Sequence, residues 1–461
     1  MKVSRISRSF FFSLLLFLTV MACKKEATPP SIVGPVPSDE TYRQYGEPFD
    51  QVPETGDIVM YEINLRAFSV NGDLPGVIQR LGDLQNLGIN VIWLMPIHPI
   101  GDLKSVNSPY LVKDFKAVSS EYGALKDLRK LVEEAHKRGM AVIMDWVANH
   151  TAWDNAWLNN TSWYTQDGDG NIVHPPGTNW LDVADLNFDN TIMRASMIDA
   201  MKYWILEANV DGFRCDYADG VPFDFWKQAF DTLRSIPSRD LIFLAEGDRS
   251  DHFEAGFDIN FGWDFYGALK GVFVNQSANR MWNVHNDEFQ NVSGNNQFLR
   301  FTTNHDESAW DATPMTLFNG KEGALAASTI SIFMGGVPLI YTGQEVGRLS
   351  TLPFFSNSPI NWNANQDMLQ EYEALLGFYN QSATARKGSN TNYPDVDVVA
   401  FKKALNGDEV LVITNTRNQQ VSFQVPSALQ NSTWTNPFDS SSVLLGSTLI
   451  LDKYQYLILE D

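Results

Sequence analysis

Residues 125–146 read LKDLRKLVEEAHKRGMAVIMDW, and their apolar pattern indicates the fold class. Its first part, Leu125–Arg138, has the apolar spacing of an amphipathic helix, and Gly139 follows at the position where helices commonly end. The next apolar run, Ala141–Trp146, has the length and composition of a buried strand. A helix that leads directly into a buried strand is typical of a parallel sheet covered by helices.

The same alternation extends in both directions and gives eight strand-like runs. These runs are Ile58–Asn64, Asn90–Met95, Ala141–Trp146, Gly212–Asp216, Leu241–Glu246, Gly256–Phe261, Phe298–Thr303 and Val337–Tyr341. Helical patterns such as Met193–Ala208 and Lys321–Phe333 lie between them. The chain is therefore of the α/β class, and we predict a closed (β/α)8 barrel of the TIM type over residues 53–386.

Two regions depart from this alternation. Residues 150–190, after the third strand, are dense in Trp, Asn, Asp, Gly and Pro, which predicts a short inserted subdomain over the carboxyl-terminal ends of the strands. Over residues 387–461 the helical patterns stop, and only short alternating runs remain. The runs Asp395–Ala404, Glu409–Asn415, Gln420–Val425 and Ser447–Leu451 predict a C-terminal antiparallel β-sandwich.

The N-terminus has the character of an export signal. Basic residues precede the apolar run Phe10–Val20, which is too short to cross a membrane as a mature helix. We therefore predict a signal peptide over residues 1–22. A small residue directly before Cys23 resembles a bacterial lipoprotein processing site, which would make Cys23 the lipidated first residue. Residues 23–52, rich in Pro, Ser, Glu and Thr, are predicted to be a flexible tether.

From these features we expect an exported protein that is anchored to a membrane by lipid. The outer membrane is the expected place, with the protein facing either the periplasm or the cell surface. The formal net charge of −21 disfavours nucleic acid and anionic surfaces as partners, whereas a neutral polymer is compatible with it. Protein partners stay open at the level of the sequence.

Polar clusters stand at the ends of four predicted strands. They are Asp145 to His150, Arg214 to Asp216, Glu246, and Asn304 to Asp306. In a barrel enzyme the carboxyl-terminal ends of the strands carry the active site. A single Asp at a strand end is more often a turn or helix cap than a catalyst, but four such clusters on one barrel are hard to explain by capping.

Two of these carboxylates suit one particular chemistry. Retaining glycoside hydrolysis uses a nucleophile and an acid/base about 5–5.5 Å apart. Adjacent strands can place Asp216 and Glu246 at such a separation. Arg214 lies two residues before Asp216, so both side chains leave the strand on the same face. We expect its charge to keep Asp216 ionised, while the resulting anion raises the proton affinity of Glu246.

The clusters together resemble the signature regions of the alpha-amylase family, glycoside hydrolase family 13, in the form of a bacterial lipoprotein. Further similar pieces are Ser108-Pro-Tyr110, Asp182 to Asn187, and Gly336 to Glu345. The resemblance implies Asp216 as nucleophile, Glu246 as acid/base and Asp306 as transition-state stabiliser. It also implies a substrate-binding set formed by Tyr110, His150, Arg214, His305, Asn304 and Trp180.

The resemblance implies no required cofactor, but it raises the question of a structural calcium ion. Asn149 and Asp185 are the candidate ligands. Many alpha-amylases carry a Lys-His pair shortly after the nucleophile, where this chain has Asp219-Gly220. This departure puts in doubt both the usual contacts on the leaving-group side and the usual calcium site.

The implied substrate is an alpha-glucan such as starch, glycogen or a maltodextrin, cleaved at alpha-1,4-glucosidic bonds through a covalent intermediate. Several related activities stay open. An exo-acting alpha-glucosidase, a neopullulanase- or cyclomaltodextrinase-like enzyme and a transglycosylase would use the same catalytic residues. A non-catalytic glycan-binding protein is a further alternative, which the presence of the complete catalytic set disfavours.

Overall fold

The structure, a computed structural model, describes residues 42–290 and 292–461. Eight parallel strands form a closed barrel in it, as predicted. In chain order the strands are β1 Met60–Ile63, β2 Val91–Leu94, β3 Ala141–Trp146, β4 Gly212–Cys215, β5 Ile242–Ala245, β6 Ile259–Phe261, β7 Gln297–Arg300 and β8 Val337–Tyr341. Met60 of β1 pairs with Val91 of β2 on one side and with Leu339 of β8 on the other, which closes the ring.

Helices connect the strands and cover the barrel. The described ones are Leu65–Phe68, Leu74–Ile78, Leu81–Asn86, Leu125–His136, Thr191–Glu207, Phe223–Arg234, His252–Ala255, Trp263–Phe273, Asn279–Phe289, His305–Trp310, Pro314–Leu317, Lys321–Phe333, Gln366–Gln381 and Ala383–Lys387. The helix Leu125–His136 buries the apolar side chains that its sequence spacing predicts. Gly139 after it has a φ of 75°, a left-handed conformation that glycine adopts readily. In the described part of the chain, no helix combines the length and the apolar character needed to cross a membrane.

The barrel has two apolar layers. Val91 and Trp93 of β2 point into the interior, which is filled by apolar side chains from every strand except β4, while Ile92 and Leu94 pack outward against the helices. This alternation is the normal two-residue period of a strand. Because the interior is filled, a cleft can form only where the strands end.

The insertion after β3 is a small antiparallel ribbon with short helical turns. His150–Ala152 pairs with Val183–Asp185. The turns Ala156–Asn159 and Thr161–Trp163 lie between them. The ribbon begins directly after β3 and therefore lies at the carboxyl-terminal end of the barrel.

The C-terminal region forms antiparallel sheets with a core of their own. Its strands are β9 Ser389–Asn392, β10 Val398–Leu405, β11 Asp408–Asn415, β12 Val421–Gln424, β13 Thr433–Thr435, β14 Ser442–Leu444, β15 Thr448–Leu451 and β16 Tyr456–Glu460. One sheet has the order β9-β10-β11-β16-β13-β14, and β12 pairs with β15 in the other. The sequence predicted β10, β11, β12 and β15. It missed four others, among them β9, which is polar throughout and shows no apolar pattern.

The segment 42–52 packs on the barrel, so the predicted tether is wrong in this part. The Phe49 ring is only 7% exposed and stacks on His136 at a centroid distance of 4.3 Å. The Tyr45 N–H donates a hydrogen bond to the Leu206 carbonyl at 2.8 Å. Aromatic side chains therefore outweigh the polar composition on which the prediction was based. The predicted signal peptide, Cys23 and residues 23–41 lie outside the described residues.

Candidate active site

The predicted catalytic side chains meet in one cleft at the carboxyl-terminal end of the barrel. The cleft has a volume of about 430 Å³. Its lining includes seven predicted residues, namely Tyr110, His150, Trp180, Asp216, Glu246, His305 and Asp306. Arg214 is fully buried and contacts two of their carboxylates. The barrel thus brings together residues that the sequence placed at the ends of separate strands.

Arg214 is shared by three carboxylates. Its Nη1 lies 2.9 Å from Asp216 Oδ1, and its Nη2 lies 2.7 Å from Glu246 Oε1. Nη1 also donates to both oxygens of Asp145, at 2.9 and 3.1 Å. The sequence predicted only the pairing with Asp216. The guanidinium therefore does more than support the nucleophile, because it holds Asp216 and Glu246 side by side.

Two opposing effects set the protonation of Asp216 and Glu246: burial favours their neutral forms, and the positive charge of Arg214 favours their ionised forms. Burial raises the pKa of Asp216 well above its usual value, and Arg214 opposes the rise. Burial also raises the pKa of Glu246, again against Arg214. The expectation that Arg214 selectively holds Asp216 ionised therefore needs correction, because the guanidinium faces both groups. Three carboxyl groups around one guanidinium favour the retention of one proton, which an acid/base and nucleophile pair requires.

The turn after β4 positions Glu246 through its backbone. Tyr217 has φ 41° and ψ 52°, a left-handed conformation that is uncommon outside glycine. Its N–H donates to Glu246 Oε2 at 2.8 Å. A Cβ at Gly220 would lie 2.3 Å from the Tyr217 ring and 2.5 Å from Asn149 Oδ1. This close approach explains why a residue with a side chain does not fit at position 220.

Asp219, the other half of the Asp-Gly departure, joins this turn to the loop after β5. Its carboxylate accepts the N–H groups of Asp248 at 2.9 Å and Arg249 at 3.1 Å, and it lies 3.2 Å from His252 Nε2. Burial raises the pKa of Asp219, but the hydrogen bonds from His252 and the two backbone groups outweigh this and lower it. This part of the cleft, which Asp219 lines, therefore carries an ionised carboxylate.

His305 is held by hydrogen bonds at both ring nitrogens. Its Nδ1 donates to Glu62 Oε1 at 2.6 Å, and its Nε2 contacts Tyr110 Oη at 2.8 Å. Because Tyr110 Oη itself donates to Asp145 Oδ2 at 3.0 Å, both nitrogens of His305 act as donors. Burial opposes the charge, but Asp306 and Glu62 raise the pKa of His305 to about 9. His305 is therefore a cation near neutral pH.

The insertion also lines the cleft, through residues that include His150 and Trp180. Burial lowers the pKa of His150 to about 4, so this ring is neutral. Trp180 lies edge-on to Tyr217 at 5.0 Å and at 5.8 Å from His150. Trp157 and Trp163 pack against the hydrophobic core instead. Of these tryptophans, Trp180 is the one that lines the cleft.

Asn304 is a correction to the predicted substrate-binding set. It is fully buried, and its Oδ1 accepts the N–H of Glu307 at 2.9 Å. It therefore caps the helix His305–Trp310, a position for which asparagine is well suited. Asp306, two residues later, projects into the cleft. One ligand atom from each of Glu246, His305 and Asp306 lies within 4.8 Å of the other two.

Asn149 and Asp185, the candidate calcium ligands, lie beside the main cleft. Both line a second cavity of about 280 Å³, next to Tyr217 and Gly220. Asp185 is largely buried, and this burial raises the pKa of its carboxyl group. The two oxygen-bearing side chains thus share one cavity, as ligands of a common ion would.

Two buried acids of the site were missing from the predicted set. Glu62 stands in β1 and Asp145 in β3, and both are fully buried. Asp145 stands in one of the polar clusters found at the strand ends but was assigned no role, and Glu62 is an acid near the end of the otherwise apolar strand β1. What the sequence could not give is the partner of each, His305 and Arg214.

Comparison with known proteins agrees with this geometry. The family model for the alpha amylase catalytic domain matches residues 43–171. Alpha-amylase MalA of Haloarcula japonica is 27% identical over 412 residues, which cover 82% of this chain and 58% of the relative. Alpha-amylase 2 of Dictyoglomus thermophilum is 27% identical over 397 residues, covering 80% of this chain and 68% of that protein. The chain thus spans little more than half of the haloarchaeal relative.

Solved structures show the same relationship across both domains. The crystal structure of an alpha-amylase from Lactobacillus plantarum superposes with a TM-score of 0.80 at 25% sequence identity. The match covers 88% of this chain and 99% of the other. The barrel and the C-terminal sheets are therefore arranged as in that enzyme.

Proposed function

We propose that the chain is a member of the alpha-amylase family, glycoside hydrolase family 13, and a retaining hydrolase of alpha-1,4-glucosidic bonds in starch, glycogen or maltodextrins. One observation supports this most directly. A single buried guanidinium, Arg214, holds Asp216 and Glu246 together at the floor of an open cleft. This arrangement supplies a nucleophile next to an acid, as a double displacement requires.

In the first step, Glu246 donates its proton to the glycosidic oxygen while a carboxylate oxygen of Asp216 attacks C1 of the sugar. The C1–O bond breaks, the shortened glucan leaves as an alcohol, and a glycosyl ester forms on Asp216. In the second step, Glu246 takes a proton from water, the resulting hydroxide attacks C1, and the ester bond breaks. Two inversions at C1 give retention of configuration.

The surrounding residues act on charge and position. The transition state carries positive charge at C1 and the ring oxygen, which Asp216 and Asp306 stabilise as anions. His305 is charged, and it lies 3.6 Å from Asp306 and in contact with Tyr110. It therefore fixes Asp306 and the Tyr110 ring on the same side of the sugar. His150, which is neutral, can both donate a hydrogen bond to a sugar hydroxyl and accept one.

The proposal is tested with purified protein on soluble starch, pullulan and maltotriose, with products separated by chromatography. Asp216→Asn and Glu246→Gln should each lower the release of sugars by at least about a thousandfold. Asp231→Asn, at an exposed position on a barrel helix, is the matched control and should keep full activity. NMR of the first products should show the alpha anomer. Wild-type protein that is inert on all three substrates would refute the proposal.

The product pattern also decides between the related activities. Mixed maltooligosaccharides from starch indicate endo action, whereas glucose alone from maltotriose indicates an exo-glucosidase. Rapid cleavage of pullulan indicates a neopullulanase-like enzyme, and products longer than the substrate indicate transglycosylation. Binding of starch without any cleavage would leave only a glycan-binding role.

We also propose that calcium binds between Asn149 and Asp185. Calcium prefers oxygen ligands and takes six to eight of them, so these two side chains would be supplemented by main-chain oxygens and water. Gly220 supports this placement, because a side chain there would collide with Asn149. Such an ion would join the insertion to the turn that follows the nucleophile. It would supply rigidity there rather than a chemical step.

For location, we propose that the chain is exported and held at the outer membrane by lipid on Cys23. The support is the sequence alone: a short apolar run after basic residues, followed by a small residue and Cys23. Cys23→Ser should abolish incorporation of labelled fatty acid when the full chain is expressed in a bacterial host. Unchanged labelling of this variant would refute the anchor.

A further inference from the structure

Three aromatic side chains extend the cleft beyond Tyr110, and the catalytic steps do not use them. Phe354 lies 5.6 Å from the Tyr110 ring, Trp310 lies 5.8 Å from Phe354, and Phe355 lies 6.0 Å from Trp310. All three line the same cleft as the catalytic acids. We call Phe354, Trp310 and Phe355 the aromatic row. Trp310 is 67% exposed, a large apolar surface left open to water at its end.

The row is held in place by contacts behind it. Asn107 Nδ2 donates to the Phe355 carbonyl at 2.7 Å. Arg66 in turn donates to the Asn107 carbonyl at 2.8 Å and forms an ion pair with Glu121 at 2.6 Å. Trp310 ends the helix whose first turn is capped by Asn304. Because both supports are built from the protein itself, the row is preformed and costs little ordering when a ligand binds.

The position of the aromatic row shows on which side of the cleaved bond it lies. Glu246 protonates the oxygen of the leaving sugar, so the leaving side lies next to Glu246, where Tyr217 and Asp248 line the cleft. Phe354, by contrast, contacts Tyr110 and His305, at 5.6 and 5.9 Å. The row therefore continues from the sugar that is attacked, away from the leaving group. This is the non-reducing side of the cleaved bond.

We propose that the aromatic row binds at least two glucosyl units on the non-reducing side of the cleaved bond and so directs the enzyme to cut within a chain. The inference rests on the proposed function and adds the mode of action. Aromatic rings cover the apolar faces of sugars, and a row of them suits a neutral polymer of repeating units. An enzyme that acts from the chain end would need this side closed, whereas here it ends at an exposed tryptophan.

The test compares kcat/KM for maltohexaose with kcat/KM for alpha-glucosyl fluoride, which fills only the position of the attacked sugar. In Trp310→Ala the ratio of the two constants should fall about tenfold, the scale of one lost aromatic contact. Trp310→Tyr should restore most of the ratio. Phe355→Ala should independently lower the same ratio of kcat/KM values. Trp310 is largely exposed, so its replacement leaves the fold intact, which circular dichroism can check.

Phe438→Ala is the matched control, because Phe438 is a partly exposed aromatic residue of the C-terminal domain outside the cleft. It should leave the ratio as in wild type. If Trp310→Ala and Phe355→Ala also leave the ratio unchanged, the aromatic row does not bind substrate and the proposal is overturned. If wild-type protein cleaves neither compound, the proposed function itself fails. If it cleaves the fluoride but gains nothing from the longer chain, only the aromatic row is refuted.

Discussion

Replacing Glu62 by Gln should move the alkaline limit of activity to lower pH. Glu62 Oε1 lies 2.6 Å from His305 Nδ1, and both side chains are buried. Glutamine keeps the size of the side chain and can still accept a hydrogen bond, but it removes the negative charge. The substitution therefore tests the charge of His305 rather than the packing around it.

The magnitude follows from the pKa of His305. Asp306 and Glu62 together raise this pKa from 6.5 to about 9 against the effect of burial. A rise of this size corresponds to about 3 kcal/mol at 1.36 kcal/mol per pKa unit. Asp306 remains in the variant, and burial raises the pKa of Glu62 itself despite the nearby His305. The carboxylate that is removed is therefore costly to bury, and we expect a loss of only about 1–2 kcal/mol of unfolding free energy. Because the pKa is raised on folding, this stabilisation is fully present below pH 6.5 and is lost as the pH rises through 9.

The assay is the pH profile of kcat/KM on a chromogenic maltooligosaccharide, together with urea unfolding at pH 6 and at pH 10. Glu62→Gln should lower the alkaline limb by about one to two pH units. It should cost stability mainly at pH 6. Glu288→Gln is the matched control, since it breaks another buried pair, with Arg300, away from the cleft. An alkaline limb that coincides in Glu62→Gln and wild type, together with equal stability of the two at pH 6, would refute the assignment of a charged His305.

Three further predictions concern parts outside the catalytic steps. Phe49→Ala should lower the unfolding free energy by about 3 kcal/mol, because it removes a buried ring from the surface around His136; a loss within error would show that residues 42–52 do not dock. Lys403→Met should raise the melting temperature at pH 6 and have little effect near pH 10. Burial lowers the pKa of Lys403 from 10.5 to about 7, so the unfolded chain binds more protons in this range and wild-type stability rises with pH. EGTA should lower the melting temperature of wild type and leave Asp185→Asn unchanged, whereas equal shifts in both would contradict the proposed calcium site.

The sequence was sufficient to predict the barrel because the apolar spacing of its helices and that of its strands are both clear. The helix Leu125–His136 and the strand Ala141–Trp146 differ in apolar spacing, and Gly139 marks their junction. The rule that polar residues at strand ends form the active site then identified most of the cleft. The same rule failed for Asn304, because a strand end is also a helix start, and a capping side chain looks the same in sequence.

Pairings across the barrel could not be predicted in this way. Glu62 and His305 are 243 positions apart and meet only because the ring of strands closes. Arg214 was assigned to its near neighbour Asp216, while its contacts with Asp145 and Glu246 depend on the register of β3, β4 and β5. Sequence spacing gives the face of one strand, but register between strands is a property of the whole sheet.

The balance of charge at the floor of the cleft connects these pairings to catalysis. Its carboxyl groups are Glu62, Asp145, Asp216, Glu246 and Asp306, and its cations are Arg214 and His305. Even with Glu246 protonated, negative charge remains in excess. Such an excess stabilises the positive charge that develops on the sugar in the transition state. It also makes removal of the proton from Glu246 costly until a leaving oxygen takes it. The same surplus of carboxylates therefore keeps Glu246 protonated and stabilises the transition state. It depends on acids such as Glu62, which lie behind the cleft and do not line it.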